Sequence, residues 1–174
     1  MSSPPENPMT SSRGDPQPAY RLRPATLQDT GFLADVVLTA TEAQGLLPAG
    51  FDEPAWRDAF TTWTRKQIRG EVPDSTTSVI ESGGGRVGRL RVTRGKDRIE
   101  LSGIQLLPRV QGRGIGTAII EHLQAEAAAA GVPLDIGVEK GNLRARRLYE
   151  RLGCVQVAED DQEHKLRWYP SVPG

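Results

Sequence analysis

Three glycines at alternate positions, Gly112, Gly114 and Gly116, stand directly before a run of helical periodicity in the segment RVQGRGIGTAII, Arg109 to Ile120. Glycine costs about 1 kcal/mol relative to alanine inside a helix, so such a run at a helix entrance needs a compensating reason. Close approach of an anion to bare backbone amides supplies one, because the free N–H groups and dipole of a helix N-terminus favour negative charge. Three amide cradles compete for the segment. A Walker loop closes on Gly-Lys-Ser/Thr, whereas this one reads GIGTA without lysine. A dinucleotide loop needs GxGxxG, but here the third glycine comes one position early and no first βα unit precedes it. The match that remains is a strand-loop-helix turn of the form QxxGxG, formed by Gln111, Gly114 and Gly116. Its amides, running through Gly112, Arg113 and Ile115 to Thr117, would bind a pyrophosphate; the alternative is a tight turn with no ligand.

The elements that must position this loop follow from period and punctuation. AYRLRPAT suits a first strand, and the Thr-x-x-acid spacing of Thr26 to Asp29 caps a helix running to about Gln44. A second helix begins near Asp52, tolerates Pro54 in its first turn, carries Trp56, Phe60 and Trp63 at helical spacing and stops around Gly70. STTSVIES and RVGRLRVTR read as two strands joined by a glycine turn at Gly83 to Gly85, and DRIELSGIQLLP as another ended by Pro108. A helix from Gly114 to Ala130, closed by Gly131, leads to the short strand VPLDIGV. Asn142 opens a last helix with Ala145, Leu148, Tyr149 and Leu152 on one stripe, closed by Gly153, before two final strands. The resulting order, β-α-α-β-β-β-α-β-α-β-β, predicts an α/β fold with a mixed, mostly antiparallel sheet flanked by helices.

The 174 residues suit one domain, expected over residues 19–170, while the Pro- and Ser-rich opening, residues 1–18, reads as a disordered tail. Balanced charge, 22 Lys and Arg against 22 Asp and Glu, makes a polyanion an unlikely primary partner: neither nucleic acid nor an anionic membrane is expected, although a local basic patch is compatible with it. A lone cysteine, Cys154, and the absence of a signal-type apolar run point to a cytoplasmic protein, with Cys154 as a small core residue. His122 and His164 read as solvated or structural.

Two segments, IQLLPRVQGRGIGTAIIEHL and GVEKGNLRARRLYERLGC, together resemble the GNAT superfamily of acyl-CoA-dependent N-acyltransferases, in the family's order and at about its separation. The resemblance covers about Tyr20 to Tyr169, and one departure is Gly153-Cys154 where the family usually has Gly-Phe. It implies direct transfer of an acetyl group from acetyl-CoA, as co-substrate and without a metal, to a primary amine. It also implies that the fourth and fifth strands splay into a V where pantetheine pairs with backbone around Ile104 and Leu106. Asn142 would order the site or touch pantetheine as well as cap its helix. Tyr149 matches the family's general acid, a phenol able to protonate the departing thiolate, although its place on the apolar stripe also suits simple packing. Glu100, eleven residues before Gln111, matches the general base of the family's histone acetyltransferase branch. By alternation it shares a face with Ser102 and Ile104 until a bulge intervenes, and it suits a surface strand position equally. The acceptor side would carry Phe51, Asp52, Glu53, Trp56, Phe60, Trp63 and Trp168; acids with aromatics suit a cationic small amine or an amino-acid derivative, with a peptide amine also open. A homodimer is compatible with the resemblance. The rival from another class is a catalytically silent acyl-CoA sensor or interaction module.

Overall fold

The computed structural model describes residues 19–171, so the tail expected over residues 1–18 lies outside the described residues. The elements fall in the predicted order. The N-terminal strand β1 (Arg21–Pro24) leads through a 3-10 turn (Leu27–Asp29) into α1 (Thr30–Ala43), followed by α2 (Glu53–Ile68). Three strands follow, β2 (Ser75–Ser82), β3 (Gly85–Arg94) and β4 (Ile99–Leu106), and after them α3 (Ile115–Ala130), β5 (Leu134–Glu139), α4 (Leu143–Arg151), β6 (Val155–Glu159) and β7 (Glu163–Trp168). Among the described residues no helix is long and apolar enough to cross a membrane.

Local chemistry accounts for the punctuation. Asp29 accepts hydrogen bonds from Thr26 N at 2.8 Å and Thr26 Oγ1 at 3.1 Å, closing the first helical turn. Asp52 caps α2 by accepting from Ala55 N at 3.1 Å, with Pro54 in the first turn where no backbone donor is lost. Gly83 and Gly84 both take left-handed backbone, the conformation that a two-residue hairpin matched to strand twist requires.

All seven strands form one sheet in the order β1-β2-β3-β4-β5-β7-β6, antiparallel except between β4 and β5. One face carries α3 and α4 over a core of Leu90, Val92, Leu101, Ile119, Leu123, Leu134, Ile136 and Leu166. On the other, α1 and α2 pack against β2, β3 and β4, with Leu33, Val36 and Val79 fully buried. Asp29 is buried there too, but in company: Arg23 donates to it at 2.9 Å and 3.1 Å and Arg86 at 3.3 Å. The Arg23 guanidinium, with the hydrogen bonds from Thr26, holds its carboxyl well below the usual carboxylate range against the cost of burial.

Two features of β4 position the site. The parallel ladder to β5 holds only Ile99, Glu100 and Leu101, opposite Leu134, Asp135 and Ile136; beyond them the strands part, forming the predicted V. The antiparallel ladder to β3 passes from Val92 opposite Leu101 to Arg91 opposite Gly103, leaving Ser102 as a bulge. The bulge corrects the expected alternation. Glu100, opposite Thr93, stays on the face of Ser102, whose hydroxyl lies 2.9 Å from that of Thr93, while Ile104, opposite Leu90, turns to the α3 face.

Candidate active site

Pro108 ends β4 and starts one 3-10 turn, after which the glycine loop carries the chain into α3. Gly112 has φ of 77° and Gly114 φ of 85°, a region that side chains with a Cβ rarely occupy, so the two glycines are demanded by the turn itself. Gly114 is the residue at the N-terminal boundary of α3, whose first turn contributes Ile115, Gly116 and Thr117. The Gln111 side chain folds back and donates to Leu106 O at 3.0 Å, tying the loop to the end of β4. Leu107 N donates to Val87 O at 2.8 Å across the β3 side, so the N–H and C=O of Leu106 point the other way, into the opening of the V. By alternation those of Ile104 do the same.

These groups meet at a cleft of about 710 Å³. Its wall includes Ile104, Leu106, Gln111, Gly112, Gly114, Ile115, Gly116, Thr117, Asn142 and Tyr149; of the predicted loop residues only Arg113, which is exposed, is not part of it. Asn142 accepts from Ala145 N at 3.2 Å, so its side chain is committed to capping α4 while the residue borders the cleft. Tyr149 is 6% exposed, and burial pushes its phenol up to about 12. Behind it Cys154 is a buried core residue, as expected, and burial raises its thiol to about 11, which removes any nucleophilic role near neutral pH. His122 is exposed on α3, and His164 lies near Glu159 at 3.5 Å.

Glu100 stands apart. It borders a second, polar cleft of about 450 Å³ with Ser102, Asp135, Lys165 and Arg167 and does not line the first. The acidic residues expected to greet an acceptor are also otherwise engaged: Asp52 caps α2, and Glu53 pairs with Arg57 at 3.0 Å. The aromatic group divides. Trp56 stacks on Phe60 with centroids 4.8 Å apart and Trp63 is 46% exposed, whereas Trp168 packs on the α3 side beside Gly153.

Sequence reasoning passed over Arg144, Arg147 and Arg151, which line the cleft from α4. Their i, i+3, i+7 spacing on the helix carried the signal, and they are the local basic patch that balanced net charge permitted. Gln105, between the two residues that face the V, also borders the cleft. Among the described residues no group of three His, Cys, Asp or Glu side chains is placed to hold a metal ion.

Residues 40–154 match the Acetyltransferase (GNAT) family. Proteins named as uncharacterized N-acetyltransferases in Mycobacterium tuberculosis and Mycobacterium bovis are 39% identical over 69 residues, 38% of this chain; the match spans 44% of those relatives' length. The fold is similar to that of the PaiA N-acetyltransferase from Thermoplasma acidophilum in complex with coenzyme A, at 14% identity and TM-score 0.73, covering 87% of this chain and 99% of that one. It is also similar to an acetyltransferase from Thermus thermophilus, at 22% identity and TM-score 0.69, covering 88% and 98%. The ribosomal-protein-S18-alanine N-acetyltransferase of Escherichia coli shares the fold at 20% identity and TM-score 0.58, covering 90% and 97%. With the splayed β4 and β5, the left-handed glycine loop and the cleft they form, these matches identify the chain as a member of the GNAT acetyltransferase family.

Proposed function

We propose that residues 19–170 act as one N-acetyltransferase domain that moves an acetyl group from acetyl-CoA to a primary amine by direct attack in a ternary complex. One observation carries the reading: a single cleft joins the amide-rich start of α3 to the unpaired edge of β4. Amides from Gly112 to Thr117 hold the pyrophosphate, the Gln111 N–H being engaged by Pro108 O at 3.2 Å, and Arg144, Arg147 and Arg151 supply positive charge to the remaining phosphate. The backbone of Ile104 and Leu106 pairs with pantetheine as an added strand would.

The attacking amine must shed a proton, since an alkyl ammonium with pKa near 10.4 is almost wholly charged at pH 7. As the new C–N bond forms at the thioester carbonyl the C–S bond breaks, and the thiolate takes a proton from the Tyr149 hydroxyl. Burial raises that phenol, which keeps it protonated until the thiolate forms. Glu100, on the far side of the V in the polar cleft, serves as base through water rather than by touching the thioester.

Isothermal titration with acetyl-CoA, followed by thiol detection over a panel of amines and peptides, tests the reading. Binding with acceptor-dependent CoA release is expected. Absence of binding at millimolar ligand removes the cleft assignment, and binding without turnover by any acceptor reduces the domain to a sensor.

A further inference from the structure

Arg89 lies on β3, on the face covered by α1 and α2, and is 7% exposed. Among the described residues no carboxylate pairs with it. Its Nη1 donates to Gln105 Oε1 at 2.9 Å, while its Nε is sealed from water with no partner at all. Nη2, likewise unbonded, keeps contact with solvent. The groups around it supply no negative charge: Val79 and Gln105 face it across the sheet, and Phe60 of α2 lies with its ring centre 5.4 Å from the guanidinium carbon. Arg91, on the same face, adds a like charge, and desolvation with that neighbour lowers Arg89 to about 10. Arg91 itself is better served, since its Nε donates to Ser75 Oγ at 3.1 Å and Glu100 lies within electrostatic reach.

A buried guanidinium without a counter-ion is costly, and the fold makes room for it. Gly103, next to the β4 bulge, has no Cβ; one placed there would stand 2.6 Å from Arg89 Nη1. Nη2, the donor that keeps contact with solvent, can give a carboxylate a charge-assisted hydrogen bond, and the closed-off Nε leaves the guanidinium charge otherwise uncompensated. The guanidinium is one side chain removed from the first cleft, because Gln105, which holds Nη1, borders that cleft between Ile104 and Leu106.

Resting on the acyl-transfer reading, we propose that Arg89 binds the carboxylate of the acceptor, so that the substrates are amino acids or close derivatives with a free carboxylate, rather than simple cationic amines. The acceptor's anion completes the ion pair that the folded chain leaves open, and its amine is thereby held toward the V.

The test compares amino acids with their carboxamides, using CoA release from the wild-type chain, Arg89→Met and Arg89→Lys. Wild type should prefer the carboxylates by on the order of 10²-fold in kcat/KM, mostly through KM. Arg89→Met should bring the two series together with acetyl-CoA affinity unchanged, and Arg89→Lys should restore part of the preference. Equal use of carboxamides by wild type, or an undiminished preference in Arg89→Met, overturns the assignment while leaving acyl transfer intact. If no amine turns over although acetyl-CoA binds, acyl transfer falls, and thermal shift of the CoA-saturated protein decides Arg89 by itself. Stabilisation of wild type but not Arg89→Met by millimolar amino acids supports the assignment, and equal or absent shifts in both overturn it.

Discussion

The two walls of the V are made differently. On the α3 side the surface offered to a ligand is backbone: the amides after Gln111, the left-handed Gly112 and Gly114, and the free edge of β4 at Ile104 and Leu106. On the α2 side, beyond Gln105 and away from the residues that border the cleft, the surface is side chain: Arg89 behind Gln105, the Trp56 and Phe60 stack, and the exposed Trp63. A backbone wall binds what every CoA thioester has in common, whereas a side-chain wall selects what differs between acceptors. On the proposed reading, the fixed co-substrate belongs to the first surface and substrate choice to the second.

The sharpest way to break this contrast is Gly114→Asp. A carboxylate beside the pyrophosphate repels it, so acetyl-CoA binding should fall below detection in titration calorimetry while circular dichroism stays near wild type. Gly114→Ala separates strain from charge: with φ of 85° the alanine costs about 1–2 kcal/mol, and affinity should drop only about tenfold. Retained binding in the aspartate variant would return the loop to a plain turn.

Tyr149 stands beside the backbone wall with Arg144, Arg147 and Arg151 of the same helix, and Tyr149→Phe asks whether it belongs there as packing or as chemistry. As the proton donor its loss should lower kcat about 10²-fold at saturating acetyl-CoA with affinity little changed. As packing alone it should leave kcat near wild type and move stability by no more than about 1 kcal/mol.

A smaller effect concerns the apolar floor beneath that wall. Tyr149 and Cys154 both hold their protons more tightly folded than unfolded, because burial penalises their anions. Their contribution to stability is complete below pH 9, the ordinary value of the thiol, and is lost as pH rises from there to about 12. For Tyr149 the loss is on the order of 3 kcal/mol across the window, from two pH units. Denaturant titrations between pH 8 and pH 11 should show midpoints falling with alkalinity, less steeply in Tyr149→Phe; parallel curves would mean that the phenol is not held in an apolar site.

The same division explains what the sequence disclosed. Gly112 and Gly114 were legible because positive φ dictates a residue type, and Asn142 because a cap does. Element order followed from period and glycine punctuation. The side-chain wall was not legible, because it depends on register. Inserting Ser102 as a bulge leaves no mark in hydrophobic alternation, yet it moves Ile104 to the face opposite Glu100 and places Gly103 against Arg89. Arg89 sits in RVGRLRVTR among other arginines of a strand, and nothing in that pattern distinguishes a buried guanidinium from its exposed neighbours. Asp52 and Glu53 misled for the related reason that acids at a helix start satisfy the helix first.

The three residue pairs between β4 and β5 make this the weakest seam in an otherwise continuous sheet. On one side lies a panel of β1 to β4, on the other β5, β7 and β6, with α3 touching both β4 and β5. A ligand lodged in the seam acts as a splint between the panels. Because it binds only where both edges are in place, each increment of occupancy raises the free energy of opening along that line by mass action. Amide exchange at Ile104 and Leu106, whose N–H groups face the gap, is where that stiffening should be concentrated, while the outer strands keep the protection they already have.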